Sequence, residues 1–211
     1  MTTTVATAAD PRVQVRLVRR GRRFKADIKS VEWGSARAIL KDFAGKPWPV
    51  RLLGRMQIAR EIKALDRLRG IPGVPACYGR WAGHGILLER VEGDRITRFC
   101  EARRDRIASM FARLESLIGA IHARGVVHLD LRERDNILID AEGRPGIIDF
   151  NASVCFVPGG PAGRRIFTLL RRIDTSALVK WKQRIAPELV AASDRRLQRR
   201  MTLLRRLWIF S

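Results

Sequence analysis

The chain has 211 residues, 46% of them hydrophobic and 30% charged, which is enough apolar material for one domain or two small lobes and excludes a chain disordered throughout. Lysine and arginine number 42 against 21 aspartate and glutamate, and the formal charge of +21 predicts attraction to nucleic acid, an anionic membrane or a phosphorylated substrate. Cys77, Cys100 and Cys155 are odd in number, widely spaced and without a CxxC, so a disulfide framework and a structural zinc site are not expected and a reducing compartment is.

The opening MTTTVATAADP has neither the basic nor the apolar region of a secretory signal. No run of about 18 apolar residues occurs to span a bilayer. A cytoplasmic protein is therefore expected, with peripheral contact at the inner face of the cell membrane left open. Residues 1–11 are small and polar and read as a disordered start. VQVRLV from Val13 alternates apolar and polar residues, RRGRR offers a turn, FKADIKSVEW alternates again and SARAILKDF makes a third strand. Pro47 and Pro49 interrupt. A helix is predicted from about Leu52 to Leu68, with Ile58, Ile62, Leu65 and Leu68 near one face, ending at Gly70 with Pro72 beyond. Strands are predicted around Tyr78–Trp81 and Gly85–Glu89.

A more helical half begins near Gly93. Ile107, Met110, Phe111, Leu114, Leu117, Ile118 and Ile121 repeat at helical spacing as core, and Gly125 stops that helix. Three short apolar pieces follow, VVHL, NILID and GIIDF, the last two joined by the turn signal AEGRP. PGGPAG (residues 158–163) reads as a flexible loop, and the remainder as basic helix. The order predicts a sheet-rich lobe over residues 12–92 and a helical lobe over 93–211, with a cleft between them.

The chemistry concentrates in HLDL (His128–Leu131), DNILI (Asp135–Ile139) and DFN (Asp149–Asn151). In this order and at hairpin spacing they resemble the catalytic core of the protein-kinase-like superfamily. The compact second half, with the text REIKALDRLRGIPGVP, resembles bacterial lipopolysaccharide-core sugar kinases and RIO-type minimal kinases. The resemblance implies an α+β, bilobal protein-kinase-like fold with a small β-rich N-lobe and a truncated helical C-lobe. It implies an ATP- and Mg2+-dependent kinase acting on a hydroxyl acceptor, either a lipopolysaccharide-core-type sugar or a protein Ser/Thr. A weak pseudokinase scaffold is the alternative.

By the same resemblance Lys41, at the end of AILK, meets the phosphates and Glu61 on the following helix fixes it. Asp130 serves as base toward the acceptor, and Asp149 holds magnesium. Backbone groups of Glu89 and Val91 hold adenine, beside Leu88 as gatekeeper. The metal's amide ligand is Asn136 or, because the loop is one residue longer than the pattern, Asp135 takes its place; NILI favours Asn136. DFN stands where DFG is usual, and Asn tolerates left-handed backbone, so the turn is expected to survive there. No GxGxxG precedes the second strand; only Gly21 lies in that turn, among Arg19, Arg20, Arg22 and Arg23. Ala186-Pro187-Glu188 reads as a chance APE inside a helical segment, with no helix bearing a buried Asp after it.

His128 reads as a structural histidine and Asp140 as a solvated hairpin residue. Arg132 and Arg134 are either solvated or bind an acidic acceptor. From Pro158 onward 13 Lys or Arg face 3 Asp or Glu. If helical, the end places Leu197, Met201, Leu204 and Trp208 on one stripe beside arginine pairs. This suits an anionic membrane, a helix packed on the lobe, or RNA, although no nucleic-acid motif accompanies it.

Overall fold

The computed structural model describes residues 13–33, 36–156 and 160–195. The disordered start expected for residues 1–11 and the terminal stripe of Leu197, Met201, Leu204 and Trp208 lie outside them. Strands β1 (Val13–Arg19), β2 (Asp27–Trp33), β3 (Ala36–Asp42), β4 (Cys77–Trp81) and β5 (Gly85–Glu89) form one antiparallel sheet in the order β1-β2-β3-β5-β4. Alternation along the strands separates its two faces. Val31, Ala38, Leu40, Trp81 and Leu87 form a small core on one face. Lys41, next to Leu40 and in register with Ile28 and Ile86, therefore points to the other face, toward the rest of the molecule.

Helix α1 (Trp48–Leu68) follows β3. It starts a full turn before the predicted Leu52: Pro47 occupies the cap position and Pro49 the first turn, where proline's fixed φ suits a helix and its missing N–H has no partner to lose. The prolines thus begin the helix and do not interrupt the chain. Val50, Gly54, Ile58, Glu61, Leu65 and Leu68 form its buried side. Gly54 is required by close approach, since a Cβ there would lie 2.5 Å from the Phe43 ring.

The second half contains β6 (Asp94–Arg95), α2 (Ile96–Ala102), α3 (Ile107–Ala123), β7 (Val126–Val127), β8 (Ile137–Ile139), β9 (Pro145–Ile147), β10 (Val154–Cys155) and α4 (Gly160–Ile185). The predicted hairpin is β8–β9, extended by β6, while β10 pairs with β7. Asp140 organises the hairpin turn: its carboxylate accepts from the backbone of Glu142 and Arg144 and from the Arg144 guanidinium. Strands β6 and β10 and helix α2 have no counterpart in the sequence reading, because two-residue strands carry no periodicity.

Two expectations change in the last third. Gly160–Gly163 is the first turn of α4 and not a loop, because proline and glycine are tolerated before intrahelical donors are needed. Ala186-Pro187-Glu188 lies just past the end of α4, not within a helix, and Pro187–Leu189 forms a separate short turn. One continuous core joins the lobes, from Phe43, Ile58, Leu65 and Ile86 through Phe150 to Phe111, Leu114, Ile137 and Trp181. Among the described residues no helix is long and apolar enough to cross a membrane.

Candidate active site

Three parts of the chain converge on Lys41. Its ammonium donates to Glu61 Oε1 and to Asp149 Oδ1, each at 2.7 Å, from β3 to the middle of α1 and to the turn after β9. The Phe150 N–H also donates to Glu61 Oε1 at 3.2 Å, so α1 and this turn are locked together. Burial opposes the charge on Lys41, but the two carboxylates outweigh it and hold the ammonium above its ordinary pKa. One ammonium cannot satisfy two acids equally, and Glu61 is by far the more buried of the two. Burial, with the nearby charge of Asp149, pushes Glu61 up. Asp149 is also desolvated, but Lys41 holds it below the usual carboxylate range.

Asp149 itself is left-handed, with φ 69° and ψ 64°. Asn151 is in the short turn Phe150–Ala152 and is not a positive-φ residue. The left-handed position expected at Asn151 thus belongs to Asp149, whose bond to Lys41 and whose neighbour's bond to Glu61 hold it there.

Asn136 is buried, and its amide N–H groups donate to the Asp130 carbonyl at 2.9 Å and to Asp130 Oδ2 at 3.1 Å. Both donors being occupied, its carbonyl oxygen is the atom left for a cation. Asp135 turns the other way, to Arg95 Nε at 2.8 Å and to Arg19 Nη1 at 3.8 Å. Asn136 and Asp149 thus offer hard oxygens beside the Asp130 carboxylate, a donor set that fits magnesium, which takes one or two protein oxygens and completes its shell with phosphate and water.

A cavity of about 330 Å³ is lined by Lys41, Glu61, Asp130, Asp149, Arg19 and Lys25, among others. Its roof is the β1–β2 turn. There the Gly21 N–H donates to Asp27 Oδ1 at 2.8 Å, and Lys46 reaches both the Gly21 carbonyl at 2.9 Å and Asp27 at 2.6 Å. A side chain at residue 21 would meet the Ala26 and Lys25 carbonyls at 2.2 Å, so glycine is obligatory. An ion pair and one glycine thus brace the turn where no glycine-rich loop exists. Leu88 is buried in the core; Glu89 and Val91 border a separate groove of about 830 Å³ and do not line the cavity. The Glu89 N–H already donates to the Ala76 carbonyl at 2.8 Å.

The sequence reading missed what holds the loop carrying Asp130. Leu129 has φ 68°, a strained value for a side-chain-bearing residue. Asp174 on α4, 1% exposed, accepts from the N–H of His128 and of Leu129, each at 2.8 Å, and contacts His122 Nε2 at 2.9 Å. Trp181 Nε1 donates to the Leu131 carbonyl at 2.9 Å, and Arg132 reaches Ser176 Oγ at 3.0 Å. Arg132 is thus engaged with α4, while Arg134 is exposed. A helix with a buried aspartate therefore exists, placed before Ala186-Pro187-Glu188. The available signal was Asp174 as the only acid between Gly160 and Ile185. His128 is structural: its Nδ1 accepts from the Asp130 N–H, so Nε2 carries the proton and donates to the Ile148 carbonyl at 3.0 Å. Burial lowers its pKa.

A five-stranded sheet over a helical half, with a strand lysine, a helix glutamate and two loop aspartates meeting between them, defines a protein-kinase-like fold. The family model described as the RIO domain matches residues 24–164, and the chain belongs to that family. Over shorter stretches it is similar to kinases. Sperm motility kinase Z of Mus musculus is 38% identical over 78 residues, 35% of this chain and 16% of the relative. CBL-interacting serine/threonine-protein kinase 16 of Arabidopsis thaliana is 34% identical over 38% of this chain and 18% of its own length. CBL-interacting protein kinase 16 of Oryza sativa subsp. japonica is 31% identical over 44% and 22%. The chain spans less than a quarter of the length of each of these relatives.

Proposed function

We propose that the protein is a kinase that moves the γ-phosphoryl group of ATP to an alcohol hydroxyl. The observation that carries this reading is Lys41 held at 2.7 Å from both Glu61 and Asp149, three residues far apart in the chain. Lys41 meets phosphate oxygens, with Glu61 fixing its position. Asp130 orients the acceptor hydroxyl and takes its proton as the acceptor oxygen bonds to phosphorus and the bond to the bridging oxygen of ADP breaks. The Asn136 carbonyl and the Asp149 carboxylate would hold magnesium, which when bound supplies positive charge on the triphosphate. Leu88 and the backbone of Glu89 and Val91 mark the adenine side. Arg19 and Lys25 stand in for a glycine-rich clamp, as their place in the cavity supports.

The acceptor is a protein Ser/Thr, a choice supported by the kinds of kinase the chain is similar to. A lipopolysaccharide-core-type sugar at the cytoplasmic face of a bacterial membrane is the other acceptor that suits so basic a chain. The second reading, a pseudokinase scaffold docked by charge on membrane or RNA, is favoured only by the missing glycine-rich loop.

Turnover of labelled ATP, with wild type set against Asp130→Ala and Asp149→Ala, tests the proposal. Each variant is expected to lose about 10²-fold or more in kcat. Equal turnover in all three removes the catalytic reading, and a thermal midpoint unmoved by ATP with magnesium points to the scaffold.

A further inference from the structure

We infer that the first three turns of α1 form a docking face for an anionic phospholipid surface. The helix buries Val50, Gly54, Ile58 and Glu61 on one side. On the other, Trp48 is 71% exposed, Leu52 54%, Met56 52% and Leu53 45%. Trp48, Leu52 and Met56 recur every fourth residue and make one stripe, with Leu53 beside it. Monomer surfaces carry scattered apolar residues, but four large ones in three turns of a single helix are a contiguous patch that calls for a cover.

The charge around the patch decides the partner. Arg51 and Arg55 flank the stripe, and Arg60 and Lys63 follow it one to two turns on. None of the four forms an ion pair with a described residue. No acid occurs from Phe43 to Arg60, and the first, Glu61, is buried against Lys41 on the opposite side. An aliphatic stripe tipped by tryptophan and rimmed by arginine matches a headgroup region over acyl chains, where each basic residue strengthens partition about fivefold. Nucleic acid would satisfy the arginines but leave leucine and methionine in water. Glu61 and Gln57 face the cavity from the other side of α1, so lipid docking leaves the cleft open.

Flotation of the full chain with vesicles of phosphatidylcholine, with and without about 30% phosphatidylglycerol, provides the test. Wild type should float with the anionic vesicles only. The exposed triple variant Trp48→Ser/Leu52→Ser/Met56→Ser should keep its thermal midpoint and ATP turnover but lose about tenfold in partition. Arg51→Glu/Arg55→Glu should lose about 25-fold or more. In a Trp208→Phe background, brominated acyl chains should quench emission through Trp48, an effect absent from Trp48→Phe. Undiminished flotation of the triple variant, or no Trp48-dependent quenching, overturns the inference, because binding then comes from net charge elsewhere. A vesicle-free wild-type dimer that the triple variant dissolves also overturns it and makes the patch an interface between copies. Vesicle binding is read without ATP, so its failure and a failure of the kinase reading are separable.

Discussion

At the scale of single residues, two arginine and histidine contacts make the site testable beyond its acids. Arg19 sits at the mouth of the cavity, 61% exposed and 3.8 Å from Asp135. So open a pair contributes within about 0.5 kcal/mol to stability. Arg19→Ala should therefore leave the denaturation midpoint in place and raise KM for ATP about fivefold or more, as initial-rate kinetics would read. His128 behaves differently. Its burial depresses its pKa below the ordinary 6.5, so below that pH the unfolded chain binds a proton that the folded chain refuses. The stability it protects is whole above 6.5 and is lost as pH falls through the depressed folded value. Urea denaturation should accordingly give a lower midpoint at about pH 5.5 than at about pH 7.5, with a smaller drop in His128→Asn. The hydrogen bonds of this ring, accepted from the Asp130 N–H and donated to the Ile148 carbonyl, position the loop beside it.

At the scale of elements, α4 is the support of the loop that bears Asp130. Asp174 satisfies two loop N–H groups, Trp181 a loop carbonyl, and Lys182 pairs with Glu115 to join α4 to α3. A carboxylate with three buried partners is costly to remove, because donors are stranded and the left-handed Leu129 loses its restraint. Asp174→Ala should cost on the order of 3–5 kcal/mol in chemical denaturation and reduce kcat more than KM in what remains folded. Helix α1 has two faces with two tasks: Glu61 toward Lys41, and the Trp48–Met56 stripe toward solvent. Its predicted span was short by a turn because prolines were read as breakers, whereas at a helix start they are compatible with it.

At the scale of the whole molecule, a sheet and a helical half are welded by one core that passes directly behind the site. Glu61 and Phe150 are buried in it, and Lys41 is nearly so. The lobes are thus held with Lys41, Glu61 and Asp149 already assembled, and a ligand need not gather them. Over the chain as a whole 42 lysines and arginines outweigh 21 aspartates and glutamates, a surplus that suits an acidic partner.

Much of this was legible in the chain itself. HLDL, DNILI and DFN all fall within residues 128–151 along one loop and hairpin, so their order and spacing specify their geometry almost locally. The amphipathic repeats of α1 and α3 likewise announce their buried sides. What remained open was decided by contacts between distant segments. Asn136 and not Asp135 turns inward because Arg95 and Arg19 draw Asp135 away. The left-handed residue is Asp149 because Lys41, 108 residues earlier, holds its carboxylate. Asp174 becomes the anchor of a loop 45 residues before it, and no periodicity marks it. Local pattern records what a residue does for its own helix or strand; long-range hydrogen bonds and the exposure of one helix face exist only once the packed chain has chosen its neighbours.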